Sequence, residues 1–410
     1  MADIAPFVAI RPVRDKVHLV ATRPYYSYKK NVLTAKLDSN PFTFLHIINP
    51  EFGSSLKTKA NSKERFELVK KGYADFFKQG ILIKEDSPRI YIYRQTSQNN
   101  VFTGIIAGSS IEEYNKGKIK KHEETITSRE TMFTDYLDLV GFNAEPVLLS
   151  YTGNAEIDNL LIIAMVARPE YEFSTTDLIK HELWVLSVEE TEAIQKAFLS
   201  IEATYIADGH HRTASSARLF EKRKKEGLLT SKCAYFLSFL VAEKSLKVLE
   251  YNRFIKELKS QTKENFLFTL KNIGDLTALT EIQKPQKPHQ FTICFKEEYY
   301  TFEPFANLID AKNSINSIDS AILTDFILTP ILGIDDLRTT DNIEFSPGNI
   351  SLSEIKENID SGKYAIAFLL FPPTIEQVKR VADEGLNMPP KSTWLEPKLR
   401  SGLTIYNINE

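Results

Sequence analysis

Asp208-Gly209-His210-His211-Arg212-Thr213 puts a carboxylate, two imidazoles, a guanidinium and a hydroxyl around one glycine. Donors and positive charge on one side of a turn are what a phosphate group needs. A carboxylate beside them supplies a general base or a Mg²⁺ ligand. Asp208 is therefore the first catalytic candidate and the one candidate for a metal. Gly209, His210, His211, Arg212 and Thr213 are the candidates for phosphate or nucleotide binding. Packing offers a plainer alternative: a strand-to-helix connection whose histidines only satisfy local hydrogen bonds. A second cluster lies in the charged run 116–125, where His122 and Glu123 follow Lys121. An exposed charged turn explains that run; a site edge with His122 and Glu123 as acid and base explains it too. Arg11 and Arg23 near the start and Lys391 in the tail are candidates for anion or substrate contacts.

The elements around the motif favour the cradle. Tyr205 to Ala207 is a short apolar run and reads as a buried strand. Asp208-Gly209 breaks it. Ala214, Ala217 and Phe220 then recur at near-helical spacing. Strand, glycine turn and helix together point unpaired backbone N–H groups at an anion. Upstream, residues 7–13, 16–21, 42–49 and 160–166 read as strands. Residues 88–95 and 101–109 read as an alternating hairpin, which implies a partly antiparallel sheet. Phe66, Val69, Tyr73 and Phe76 mark an amphipathic helix capped by Ser62. Ser187 and Glu190 form a capping box ahead of another. Downstream, residues 290–305 read as a hairpin, and Arg253 as an anion contact or a surface ion-pair partner.

With 410 residues, the chain is long enough for two or three domains. A net charge of −3 gives no general attraction to nucleic acid or membrane. The start lacks the basic and apolar regions of a signal peptide. Cys233 and Cys294 have no metal-ligand spacing, so free buried thiols are expected, and a cytoplasmic location with them.

Five stretches carry a resemblance: A-D-G-H-H-R at 207–212, the segment 40–51, K-K-H-E-E-T at 120–125, H-E-L-W-V at 181–185 and P-P-K-S-T-W at 389–394. On these the chain resembles the domain of unknown function 1015 family of bacteria and archaea, placed in the ParB/sulfiredoxin superfamily. The resemblance implies a mixed α/β (α+β) fold, with a ParB/sulfiredoxin-like core and a small α+β insertion. It implies an N-terminal α/β part at 1–150, the motif-bearing part at 151–255, the insertion at 256–345 and a C-terminal segment at 346–410 returning to the core. The family's best-understood relatives are kinases that phosphorylate free serine. The implied activity is a phosphotransferase using Mg²⁺ and ATP or ADP on a small hydroxylated metabolite such as free serine. The alternative is a non-catalytic nucleotide-binding module of ParB type. Neither a nucleic-acid nor a membrane partner is expected. His210 stands where sulfiredoxin has its cysteine nucleophile, so sulfinic-acid reduction is excluded. The family's P-Y-D tripeptide reads Pro24-Tyr25-Tyr26 here, which leaves Asp208, Glu51 or Glu123 to serve as the carboxylate.

Overall fold

The alternating residues near 90 do form a hairpin: Tyr91–Thr96 pairs antiparallel with Val101–Ser110. The computed structural model describes residues 2–55, 57–259 and 261–409. The chain divides into two units, Met1–Leu246 with Pro397–Glu410, and Lys247–Glu396.

The first unit is organised on a nine-stranded mixed sheet. Its strands are β1 (Ile4–Ala5), β2 (Tyr91–Thr96), β3 (Val101–Ser110), β4 (Ile119–Lys120), β5 (Val147–Tyr151), β6 (Tyr171–Ser174), β7 (Lys180–Val185), β8 (Thr204–Asp208) and β9 (Tyr235–Ala242). Their order is β4-β8-β5-β9-β3-β2-β7-β6, with β1 also paired to β3. The pairs β4–β8 and β5–β9 are parallel and the others antiparallel. The main helices are α1 (Lys63–Lys78), α2 (Thr127–Val140), α3 (Ala155–Ala164), α4 (Val188–Phe198) and α5 (His210–Glu226). Ile92, Ile105, Leu149, Ile206 and Leu240 of the sheet share one core with Ile157 and Leu161 of α3 and Ile194 and Phe198 of α4. Ser62 caps α1, and Ser187 and Glu190 close the capping box of α4.

Three expected strands are helical instead. Residues 160–166 lie mostly within α3, whose first amides are capped by Asn154. Ile157, Leu161 and Ala164 face the core at helical spacing. The apolar run looked strand-like because Ile162, Ile163 and Val166 are also apolar, yet they are exposed. Short apolar runs do not separate strand from helix by pattern alone. Residues 16–21 and 42–49 each contain a single helical turn, Val17–Val20 and Leu45–Ile48. Their apolar residues pack into a local core with Phe66, Val69 and Phe142 rather than joining a sheet.

The second unit carries a six-stranded antiparallel sheet. The hairpin predicted for 290–305 forms between Phe291–Phe295 and Glu298–Pro304. Arg253 is not a surface residue: it sits on a central strand, wholly buried, with its guanidinium 5.2 Å over the Phe345 ring. Burial pushes it down to about 9, against a smaller opposing effect of Tyr251. Cys233 and Cys294 are free and buried, and burial raises both thiols. Among the described residues, no helix is long and apolar enough to cross a membrane.

The first sheet leaves no room beside Gly104. A β-carbon there would meet the Leu240 carbonyl oxygen and lie 2.6 Å from Val241 Cγ1 and 2.8 Å from Phe239 Cε2. Gly104→Ala should therefore destabilise the chain by about 1–3 kcal/mol, the usual cost of overpacking a filled core. Denaturant unfolding checks this, and an unchanged midpoint would show that β3 and β9 can separate.

Candidate functional site

Helix α5 starts at a glycine. Gly209 is its N-cap, at φ 107° and ψ 28°, and has no side chain with which to cap the first turn. Only glycine adopts that backbone at low cost. The first intrahelical bond runs from Thr213 N to Gly209 O at 3.0 Å. The amides of His210, His211 and Arg212 precede it and have no acceptor within the helix. The first turn holds no acidic residue, whereas the last turn holds Arg223, Lys224 and Lys225. That distribution suits the helix dipole at its C-terminus and leaves the N-terminus open to an anion.

Strand β8 delivers Asp208 to this point through an irregularity. Ile206 pairs with Leu149 and Asp208 with Leu148, so Ala207 is an extra residue. Such a bulge turns the strand end and re-aims the next side chain. The Asp208 carboxylate meets Lys398 Nζ at 2.9 Å and Arg212 Nη2 at 3.9 Å. Both cations hold it below the usual carboxylate range, against the opposing effect of burial. The side chain is still 32% exposed, so a ligand can reach it.

Arg212 folds back across Gly209. A β-carbon on Gly209 would stand 3.1 Å from its Cζ, Nε and Nη2. Its Nη1 donates to the carbonyls of Pro146 at 2.6 Å and Glu145 at 3.2 Å, and pairs with Glu145 Oε1 at 3.0 Å. Burial opposes the guanidinium's charge, but Glu145, Asp208 and Tyr26 outweigh it. Tyr26 thus lies within electrostatic reach of Arg212.

The run at 121–123 reaches the same corner, because β4 lies parallel beside β8. His122 is completely buried, and its ring packs edge-on to His210 at 4.7 Å. Neither ring nitrogen of His122 has a protein partner among the described residues. Glu123 Oε2 lies 3.5 Å from His210 Nδ1. The histidines do not bring the positive charge expected of them. Burial pushes His122 and His210 down to about 3, and His211 also lies below its ordinary value. Charge at the corner comes from Arg212 and Lys398. Thr213 is fully buried and bonds Gly209 O, so its hydroxyl serves the helix.

Arg11 and Glu51 are engaged by other partners, and Arg23 and Lys391 each lie over an aromatic ring. Arg11 is buried, engaged by Glu85, by Glu170 at 3.1 Å and by the Tyr171 hydroxyl at 2.6 Å. Its guanidinium is committed to these internal partners rather than to an anion. Glu51 is buried too, accepting from Thr58 N at 2.5 Å and from Arg65 at 3.3 Å. Arg23 stacks over Tyr28, 4.6 Å from the ring centre. Lys391 belongs to the second unit, its ammonium 5.1 Å over the Tyr251 ring.

Lys398 and Glu145 are the residues that pattern reading left out. Lys398 stands 190 positions from Asp208, and no local spacing links the two. A buried clamp holds its segment. Gln95 Nε2 donates to the Lys398 carbonyl at 3.2 Å. Arg400 binds both Asp177 oxygens at 2.8 Å, and its Nε donates to His181 Nε2 at 3.2 Å. His181 Nε2 is then the acceptor, so the ring's proton is on Nδ1, 2.7 Å from the Tyr93 hydroxyl. Burial and the adjacent Arg400 push His181 down to about 3, which keeps it neutral. Ser401 exchanges backbone bonds with Thr22 and donates to Glu145 Oε2 at 3.2 Å.

The sequence profile described as "Protein of unknown function (DUF1015)" matches residues 4–321. No curated protein matches the chain. Solved structures it is similar to include a free serine kinase in complex with AMP, 14% identical over 76% of this chain and 94% of that one, with a TM-score of 0.36. A conserved hypothetical protein from Pyrococcus furiosus is 14% identical over 74% of this chain and 94% of that one, with a TM-score of 0.34. C-terminally truncated SbnI from Staphylococcus aureus is 12% identical over 73% and 85%, with a TM-score of 0.37. Likenesses this remote carry no functional conclusion.

His122, His181 and His210 each stay neutral in the fold down to about pH 3. Unfolded histidines take up a proton below about pH 6.5. Their contribution to stability is thus complete above pH 6.5 and falls as the pH drops toward 3. The slope is about 1.4 kcal/mol per pH unit for each histidine. His122→Phe should flatten the slope between pH 6 and 4 by one histidine's share, measured by denaturant unfolding across that range. An unchanged slope would mean that His122 takes up a proton in the folded chain.

Proposed function

Since the chain belongs to the DUF1015 family, we propose that it is a nucleotide-dependent phosphotransferase acting on a small hydroxylated metabolite, with free serine as the first substrate to try. One observation carries this reading: an accessible, ionised carboxylate, Asp208, at a helix start whose N-cap is glycine, between the cations Lys398 and Arg212. The free amides and Arg212 suit the phosphates of ATP or ADP. Asp208 suits the acceptor hydroxyl. In the transfer, the acceptor oxygen bonds to the terminal phosphorus as the bond to the leaving phosphate oxygen breaks, and Asp208 takes the hydroxyl proton. A carboxylate held below its ordinary range is a weak base. Phosphoryl transfer tolerates that, because its catalysis is mostly positioning and charge stabilisation.

Among the described residues, no group of three or more His, Cys, Asp or Glu is placed to hold a metal ion. His210 packs against His122 and Glu123, and His211 lies within electrostatic reach of Arg129, Glu123 and Glu130. Mg²⁺ uses one or two carboxylates with phosphate oxygens and water. Asp208 fits that role, and Mg²⁺ bound there would offset phosphate charge. In this reading the core is of ParB/sulfiredoxin type, the protein works in the cytoplasm, and neither nucleic acid nor membrane takes part. Glu123 and His122 form the site wall.

Tyr26 in place of the family Asp, within electrostatic reach of Arg212, favours a second reading: nucleotide binding without turnover, as a regulatory module. Incubation with Mg²⁺, ATP or ADP and a panel of hydroxylated metabolites separates the two. The expected outcome is phosphate transfer to at least one acceptor, reduced about a hundredfold to ten-thousandfold by Asp208→Asn. Nucleotide binding with no transfer would select the regulatory module. No nucleotide-induced rise in the thermal midpoint would end both readings.

A further inference from the structure

Helix α3 is apolar on both sides. Ile157, Leu161 and Ala164 are buried, and Leu160 and Met165 pack at the edge of the same core. The opposite side carries Ile162, Ile163 and Val166, which are 61%, 67% and 86% exposed. Large apolar residues scattered singly over a surface are ordinary, but three within five positions are not. A helix apolar all round is ordinarily buried all round. We propose that this outer side is the contact between two copies of the chain, which pair through α3 as an antiparallel, two-fold symmetric dimer.

The fold of one copy does not account for the outer residues. Isoleucine and valine are mediocre helix formers, and the inner side of α3 already supplies the core. The outer side is also held in place rather than frayed. The Asn154 side chain accepts from Glu156 N at 2.9 Å and Ile157 N at 3.1 Å, and donates to Ser200 Oγ at 3.0 Å. Just past the last turn, Trp184 Nε1 donates to the Ala167 carbonyl at 2.8 Å. A surface fixed before contact loses less freedom on association.

Charge selects a second copy as the occupant. Glu156 in the first turn and Arg168 just beyond the last are both exposed and bracket the apolar residues. Neither has an ion-pair partner in its own chain among the described residues. Asp158, by contrast, is taken by Lys244. Ile162 lies midway between Glu156 and Arg168 in sequence. Two α3 helices packed antiparallel about Ile162 therefore set Glu156 of one copy against Arg168 of the other, and the two-fold axis repeats the pair. The apolar residues meet between the two ion pairs. The helix dipoles then run head to tail, which is also favourable. A parallel pairing would bring Glu156 against Glu156.

The test is sedimentation equilibrium of the full chain from about 1 to 100 μM, a range that reaches weak association, and it needs no nucleotide. Wild type should show a monomer–dimer equilibrium; a monomer at every concentration overturns the proposal. Ile163→Glu replaces an exposed residue and should raise the dimer dissociation constant by about tenfold or more. An unchanged constant places any contact elsewhere and overturns the proposal. Should Ile163→Glu lose its circular dichroism spectrum, Val166→Glu, at the most exposed of the three positions, is read in the same way. The charges test the antiparallel pairing. Glu156→Arg sets arginine against arginine in both pairs and should weaken the dimer, and Glu156→Arg/Arg168→Glu restores opposite charges and should recover it. A double variant no tighter than Glu156→Arg alone overturns the antiparallel arrangement.

Discussion

The carboxylate of Asp208 is the point on which the first unit turns. It ends a strand, precedes a helix whose N-cap is glycine, and has much of its hydration replaced by protein. Left alone, burial would drive it toward the neutral acid. Two cations prevent that. One comes from its own helix, four residues on, and the other from the far end of the chain. Each cation needs support in turn. Glu145 balances Arg212, and the carbonyls ahead of β5 fix its direction. Two carboxylates and two cations therefore form a balanced group at the mouth of a helix whose amides face outward.

Holding Lys398 in that group is a problem of chain geometry. A segment so far from Asp208 in sequence gains nothing from local structure and must be tied down by tertiary contacts. Arg400 does this from a buried position, with a bidentate carboxylate partner in Asp177 and a neutral imidazole in His181. Paired and fully hydrogen-bonded charge is tolerable inside a protein, while unpaired charge is costly. Arg253 in the second unit shows the contrast: it is equally buried, and among the described residues its Nε and Nη2 have no hydrogen-bond partner.

Helix α5 is built to be anchored away from its start. Asp138 of α2 binds Lys222 at 2.6 Å and Arg223 at 2.9 Å. Gly227, at φ 70°, lets Leu228 N reach back to Arg223 O at 2.8 Å and closes the C-terminus. Ser215 and Ser216 bond the carbonyls of His211 and Arg212 inside the helix, so their hydroxyls do not compete for the first amides. These contacts hold the middle and the end of the helix.

What the sequence determined by itself was local. The strand, glycine and helix at 204–226 follow from an apolar run, a residue that tolerates positive φ, and helical spacing. The hairpins and the capping box were readable for the same reason: each depends on residues a few positions apart. Short apolar runs such as 160–166 misled, because strand and buried helix share that pattern until the far side of the element is known. Tertiary structure alone decided which charges meet. It withdrew Arg11 and Glu51 into internal ion pairs, stripped the charge from His122 and His210 by burial, and brought in Glu145 and Lys398. Burial and long-range pairing are properties of the packed chain, and no spacing along the sequence encodes them.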